Sequence, residues 1–174
     1  MIIQKVIGDY EAFLEEILGD IKKAGFDFSD FVQLDHICYR TNSIGNYDVK
    51  KKELSSTGTL VTETQISGRL IATFRLLEPI RYGSWRIDAI ELPAPKPDNK
   101  YPEGLEHVEF VIFDNFETFL KKYNNHDFDL KSMNRGINPE IALNLGKYSV
   151  KFHLLGLLAV TYLEQKIGIQ KVSS

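Results

Sequence analysis

The sequence predicts an α+β fold in which two βαβββ modules form a curved sheet around a metal cleft, with helices added at both ends. Three observations predict it. A strand–helix–three-strand order occurs twice within 174 residues. A proline-rich stretch joins the two occurrences. The opening strands also match, Leu34-Asp35-His36-Ile37 against Leu105-Glu106-His107-Val108. A supersecondary order that repeats in this way marks an internal duplication.

The elements follow in order. Residues 1–33 read as an N-terminal helical extension. Asp9 is placed to cap a helix whose Tyr10, Phe13, Leu14, Ile17, Leu18 and Ile21 recur at three- and four-residue spacing, and Gly25 supplies the stop. The first module spans 34–95. LDHICYRTN is a strand, the lysine-rich NYDVKKKELSSTG a helix, and TGTLVTETQISG, RLIATFRLL and SWRIDAIEL alternate as strands between turn residues, the second ending at Glu78-Pro79. Residues 96–103 are the linker, in a region holding Pro93, Pro95, Pro97 and Pro102; proline cannot donate to a sheet ladder. The second module, 104–156, reads as strand GLEHVEFVIF, helix DNFETFLKKYNN, and strands FDLKSMN, EIALNLG and YSVKFHLL. Residues 157–174 form a closing helix, LLAVTYLEQKIG, and a tail. All of this belongs to one compact structural domain.

Composition excludes several classes. A chain 43% hydrophobic and 26% charged folds rather than staying disordered, and a net charge of −3 gives no general pull toward nucleic acid or anionic membrane. No apolar run reaches the roughly 20 residues of a membrane span, and the first residues lack the pattern of a signal peptide. Cys38 is the single cysteine, so no disulfide framework forms within the chain and the expected compartment is the cytoplasm.

Side chains alternate faces along a strand. His36, Cys38 and Arg40 share one face of the first strand, and His107 and Glu109 share the corresponding face of its repeat. Ile87, Ala89 and Glu91 lie together near the end of the first module, as do Ser149, Lys151 and His153 near the end of the second. With the apolar sets packed under the helices, His36, Glu91, His107 and His153 converge on the cleft side. Imidazole nitrogens with a carboxylate suit a divalent metal ion: Zn first, with Ni, Fe(II), Mn and Co as alternatives. His126, in YNNHDF, is expected to be a solvated loop residue. Arg40, Arg69 and Lys151 are candidate substrate-binding cations, because guanidinium forks and ammonium groups match oxyanions. Glu91 and Glu109 are candidate catalytic carboxylates, the latter either moving a proton or orienting His107.

DHICYR (35–40), the Gly68-Arg69 turn, the Glu78-Pro79 step, ELPAP (91–95), KYPEGLEHVEF (100–110), NPEIAL (138–143) and VKFH (150–153) occur in this order. In these pieces the chain resembles the YecM family within the vicinal-oxygen-chelate superfamily, which includes glyoxalases and extradiol dioxygenases. The resemblance covers residues 30 to 165. It implies glyoxalase-like paired modules and carries over His36, Glu91, His107 and His153 as metal ligands. His153 stands where many members of the superfamily have a glutamate. The activity implied is that of a metal-dependent isomerase, lyase or dioxygenase acting on a small, oxygen-rich, anionic substrate through Lewis-acid stabilisation of an enediolate or similar oxyanion. The competing readings are a non-catalytic metal- or ligand-binding module with a saturated metal, and a duplicated scaffold that binds no metal. A small-molecule ligand is the expected partner, with no nucleic acid and no membrane. A monomer suffices for the site, and a dimer is compatible with it.

Overall fold

The computed structural model of the chain describes residues 2–97 and 101–166. Helices α1 (Ile2–Ile7) and α2 (Tyr10–Lys23) come first. α2 starts where the Asp9 carboxylate accepts from the Ala12 amide at 3.1 Å and ends where Gly25 takes φ +87°. The Gly25 and Phe26 amides then return to the carbonyls of Lys22 and Ile21, a closure that satisfies the last carbonyls of a helix.

The first module runs β1 (Phe31–Arg40), α3 (Ile44–Leu54), β2 (Gly58–Ile66), β3 (Arg69–Tyr82) and β4 (Trp85–Pro93). The second runs β5 (Gly104–Ile112), α4 (Phe116–Lys122), β6 (Glu140–Asn144) and β7 (Ser149–His153), after which α5 (Leu157–Lys166) closes the described chain. The strands make one curved seven-stranded sheet in the order β2-β3-β4-β1-β5-β7-β6. The opening strands of the two modules, β1 and β5, are antiparallel neighbours at its centre. Each has the last strand of its own module parallel on its outer side, β4 beside β1 and β7 beside β5.

Two elements differ from the sequence reading. β3 does not stop at Glu78-Pro79 but continues to Tyr82, and its pairing with β4 is irregular between Arg75 and Ile80. Pro79, which has no amide to donate, sits in that irregular stretch. FDLKSMN is not a strand. Asp129 makes a single bridge to Ala142, and its carboxylate accepts from the Lys131 amide at 3.0 Å, an Asp-initiated turn that diverts the chain before a ladder can form. Residues 98–100 of the expected linker and 167–174 of the expected closing helix and tail lie outside the described residues. No described helix is long and apolar enough to cross a membrane.

Helices α1 to α4 pack on one face of the sheet. Leu14, Ile17 and Ile21 of α2, Tyr47 and Leu54 of α3 and Phe119 of α4 share a core with Phe74, Ile90, Val108, Phe110, Val150 and Phe152. Trp85 adds an edge-on contact to Phe110, with ring centroids 5.5 Å apart. His126 is half-buried rather than fully solvated, its ring stacked on Phe26 at 4.9 Å. The opposite face carries the buried polar residues and α5, leaving a cleft between them.

Two outcomes follow from this packing. A Cβ on Gly58 would stand 2.6 Å from the Arg75 carbonyl oxygen, and backbone cannot swing aside. Gly58→Ala is expected to cost about 1–3 kcal/mol by urea denaturation, and an unchanged midpoint would mean that β2 is not held this closely. Glu63 of β2 accepts hydrogen bonds from Lys51 at 2.8 Å and Tyr47 at 2.5 Å, which hold its carboxyl below the ordinary value. The resulting stabilisation is present above pH 4.5 and is lost as pH falls through the depressed folded value. The advantage of the native chain over Glu63→Gln in melting temperature should therefore shrink below that pH; a constant difference would contradict the link.

Candidate metal centre and its cleft

The site is built on two interruptions in the β1–β5 ladder. Leu34 faces Phe110 and His36 faces Glu109, so Asp35 is an extra residue in β1. Cys38 faces His107 and Tyr39 faces Leu105, so Glu106 is an extra residue in β5. A regular strand would send neighbouring side chains to opposite faces, whereas a bulge re-aims one of them. In both modules the re-aimed residue is the acid immediately before the histidine.

The consequence is two oriented imidazoles. His36 Nδ1 meets Asp35 Oδ2 at 2.8 Å; a carboxylate only accepts, so Nδ1 carries the proton. His36 Nε2 is buried with no hydrogen-bond partner, 3.4 Å from Glu109 Oε1. His107 Nδ1 is hydrogen-bonded to Glu106, which Arg40 pairs at 2.5 Å. His107 Nε2 lies 3.0 Å from Glu109 Oε1 and 4.0 Å from Glu91 Oε2. One ligand atom each from His36, Glu91, His107 and Glu109 fits within 4.8 Å of all the others.

These groups set one another's charge. Burial works against a charged His36, but Glu109 and Asp35 outweigh it and lift the ring to about 10. Burial likewise opposes charge on His107, and Cys38 and Glu106 raise it well above its ordinary value. Burial would raise Glu109, yet Lys151 and the two histidines hold it well below the carboxylate range. Glu106, pushed up by burial and down more strongly by His107 and Arg40, sits at about 2. Several carboxylates in a buried pocket therefore demand positive charge there. Imidazole nitrogens aimed inward, an orphaned Nε2 and ionised carboxylates are a donor set that fits a divalent cation.

The strand register separates the other predicted residues. β4 places Glu91 beside Cys38, and β7 places Lys151 beside Glu109. The counterpart of Glu91 is thus Lys151, not His153, which lies two residues further along. His153 forms a neighbouring group with Asp35 and His36: its Nε2 is 3.6 Å from Asp35 Oδ2 and 3.9 Å from Glu109 Oε2, and its Nδ1 is hydrogen-bonded to the Leu155 carbonyl. Lys151 donates to Glu109 at 2.7 Å and lies 3.7 Å from Glu140. Burial lowers it, but Glu109, Glu91 and Glu140 outweigh that and raise it. Arg69, Lys151, His36, Glu91 and Glu109 line the cleft, of about 680 Å³. Arg40 does not; it is spent on Glu106 and stacks over the Tyr101 ring at 4.5 Å. Buried Cys38, raised to about 11 mainly by burial, belongs with Glu106 and His107 behind the cleft.

Sequence reasoning assigned no role to Asp35 or Glu106. The signal was present, an acid before the first histidine of each module, but strict alternation puts such an acid on the far face. Asp35 Oδ2 also accepts the Leu157 amide at 2.8 Å, so one carboxylate fixes both His36 and the start of α5.

Comparison with known proteins agrees with this architecture. Protein YecM of Escherichia coli is 26% identical over 94% of each chain. An uncharacterized protein of Haemophilus influenzae is 32% identical over 60% of this chain and 54% of its own length. A solved structure from structural genomics shares 26% identity over 88% of each chain at a TM-score of 0.74. A methylmalonyl-CoA epimerase of Streptomyces coelicolor, solved with 2-nitronate-propionyl-CoA, shares the fold at 11% identity and a TM-score of 0.50, over 71% of this chain and 96% of its own. The fold is the glyoxalase-like, vicinal-oxygen-chelate one. The YecM protein family model matches residues 3–164, and the chain belongs to that family.

Proposed function

We propose that this protein is a metal-dependent enzyme of the vicinal-oxygen-chelate type, acting on a small, oxygen-rich, anionic substrate. One observation carries the reading. Ligand atoms of His36, His107, Glu91 and Glu109 lie within 4.8 Å of one another, three of these residues, His36, Glu91 and Glu109, line the cleft with His107 just behind them, and His36 Nε2 is buried without a hydrogen bond. In this reading Glu109 takes the fourth place that the sequence gives to His153, whose Nε2, also buried without a hydrogen bond, lies 3.6 Å from Asp35 and 3.9 Å from Glu109. The fold neighbour solved with an acyl-CoA analogue supports a small-molecule occupant for such a cleft.

These four residues would hold Zn, Ni, Fe(II), Mn or Co. A bound divalent cation would supply Lewis-acid stabilisation to an enediolate-like oxyanion. The chain's own groups do the rest. Lys151 keeps Glu109 ionised and presents its remaining ammonium protons to the cleft. Glu91 has no side-chain hydrogen bond among the described residues, so its free lone pairs make it the group to accept a proton from substrate carbon. Asp35 and Glu106 fix the imidazole rings so that Nε2 faces inward. Leu157 and Val160 of α5 give the cleft an apolar wall.

The competing reading is a closed binding module, which four protein donors around a tetrahedral ion would produce. Elemental analysis of untagged protein purified without chelator should give about one equivalent of metal, lost in His36→Ala and in His107→Ala. No uptake of any of the five metals by the native chain would remove the enzyme reading. Water-proton relaxation of the Mn-loaded protein then separates enzyme from closed module: exchanging water on the ion supports catalysis, and none supports the module. Asp35→Asn, which keeps the shape but loses the acceptor charge, should weaken metal affinity by about 10- to 100-fold in a competition titration; unchanged affinity would leave Asp35 without the positioning role.

A further inference from the structure

The cleft contains a second chemical feature, away from the imidazole–carboxylate cluster. Of its four lysines and arginines, two are occupied: Lys151 by Glu109 and Glu140, and Arg135 by Glu140 at 3.4 Å. The other two, Arg69 and Lys96, have no ion pair among the described residues. Arg69 opens β3 directly after the Ser67-Gly68 turn, where both residues take positive φ, 50° and 79°. Its Nε is buried without a partner, and its guanidinium makes one long contact, 3.5 Å to the Ala94 carbonyl. Lys96 follows two residues after Ala94, whose amide donates to the Leu70 carbonyl at 2.8 Å. Both cations therefore stand at the same end of the β3–β4 pair and line the same cleft.

A buried guanidinium nitrogen left without an acceptor is costly, and its planar fork matches a two-oxygen anion. We propose that Arg69 and Lys96 form an oxyanion subsite that takes a terminal carboxylate or phosphate of the cleft's occupant, with Thr64, on the same wall, as an added hydroxyl donor. Along β3, Thr73 faces Glu91 across the strand pair, and Arg69 lies on the same side four residues away, about 13 Å of strand. The occupant is then an elongated small molecule. Chelating oxygens lie at one end, by the cluster, and an anionic group lies at the other, which the guanidinium reaches toward. This deepens the function proposed above and rests on its reading of the cleft as a small-molecule site, but the subsite itself needs no metal.

The test uses the full chain without added metal, at low ionic strength, followed by amide NMR. Inorganic phosphate and, separately, the linear dicarboxylate glutarate are titrated into the native protein and into Arg69→Gln, Arg69→Lys and Lys96→Gln. Saturable shifts at residues 66–71 and 94–96 are expected with at least one anion. Arg69→Gln should weaken binding by about tenfold or more, because a hydrogen bond to a charged group is lost. Arg69→Lys should weaken it less, and Lys96→Gln several-fold. Response to phosphate alone assigns a phosphoryl group; response to glutarate alone assigns a carboxylate. Absence of saturable shifts with both anions, or equal affinity in Arg69→Gln with its spectrum otherwise native, overturns the subsite. Failure of the chain to take up metal would leave this result standing, and failure of the subsite would leave the metal result standing, so the two readings fall separately.

Discussion

The antiparallel pairing of β1 with β5, in which Asp35 is extra in one strand and Glu106 in the other, is the constraint on which the site depends. Without the extra residues, Asp35 and Glu106 would project into the face that holds Phe110, Val108 and Ile37. An ionised carboxylate buried there without a partner costs several kcal/mol. With them, both acids turn toward the histidine that follows and become the acceptors that fix its tautomer. The same ladder distortion thus removes a liability from the core and supplies orientation to the site.

The two modules share one strand frame, but their contributions to the site are unequal. At matched registers the first module has Cys38 beside Glu91, and the second has Glu109 beside Lys151. Each module therefore supplies one histidine and one carboxylate, but from different strands, β4 in one case and β5 in the other. Lys151 occupies the place where symmetry would have put a second β4-type glutamate. Its ammonium neutralises Glu109 and leaves the cluster less negative than a symmetric site would be, which limits the like-charge repulsion among buried carboxylates.

Asp35 extends this network to the closing helix. Its carboxylate accepts from Gln33 at 3.2 Å and from the Leu157 amide as well as from His36, so the N-terminal end of α5 and the inner imidazole share one anchor. Gly156 makes this approach possible: a Cβ there would stand 2.7 Å from Asp35 Oδ1. The cleft is consequently walled on one side by β2 and β3 and on another by a helix tied to the site floor, with Arg69 and Lys96 at its far end.

Much of this was legible in the sequence. Helical spacing after Asp9, alternation in β1 to β5 and the recurrence of LDHI as LEHV determine the elements, the two modules and the inward face of His36, His107, Glu91 and Glu109, because side-chain direction in a regular strand follows from position alone. Where local chemistry overrides that rule, the sequence misleads: the Asp129 turn removes a strand from FDLKSMN, and Pro79 is absorbed into an irregularity rather than ending β3. Tertiary structure decided the rest. Only the register between strands distant in sequence tells that Lys151 and not His153 matches Glu91, that Arg40 is used up by Glu106, and that Asp35 and Glu106 turn inward. Register is fixed by how two whole faces pack against helices and each other, and no single strand's sequence contains that information.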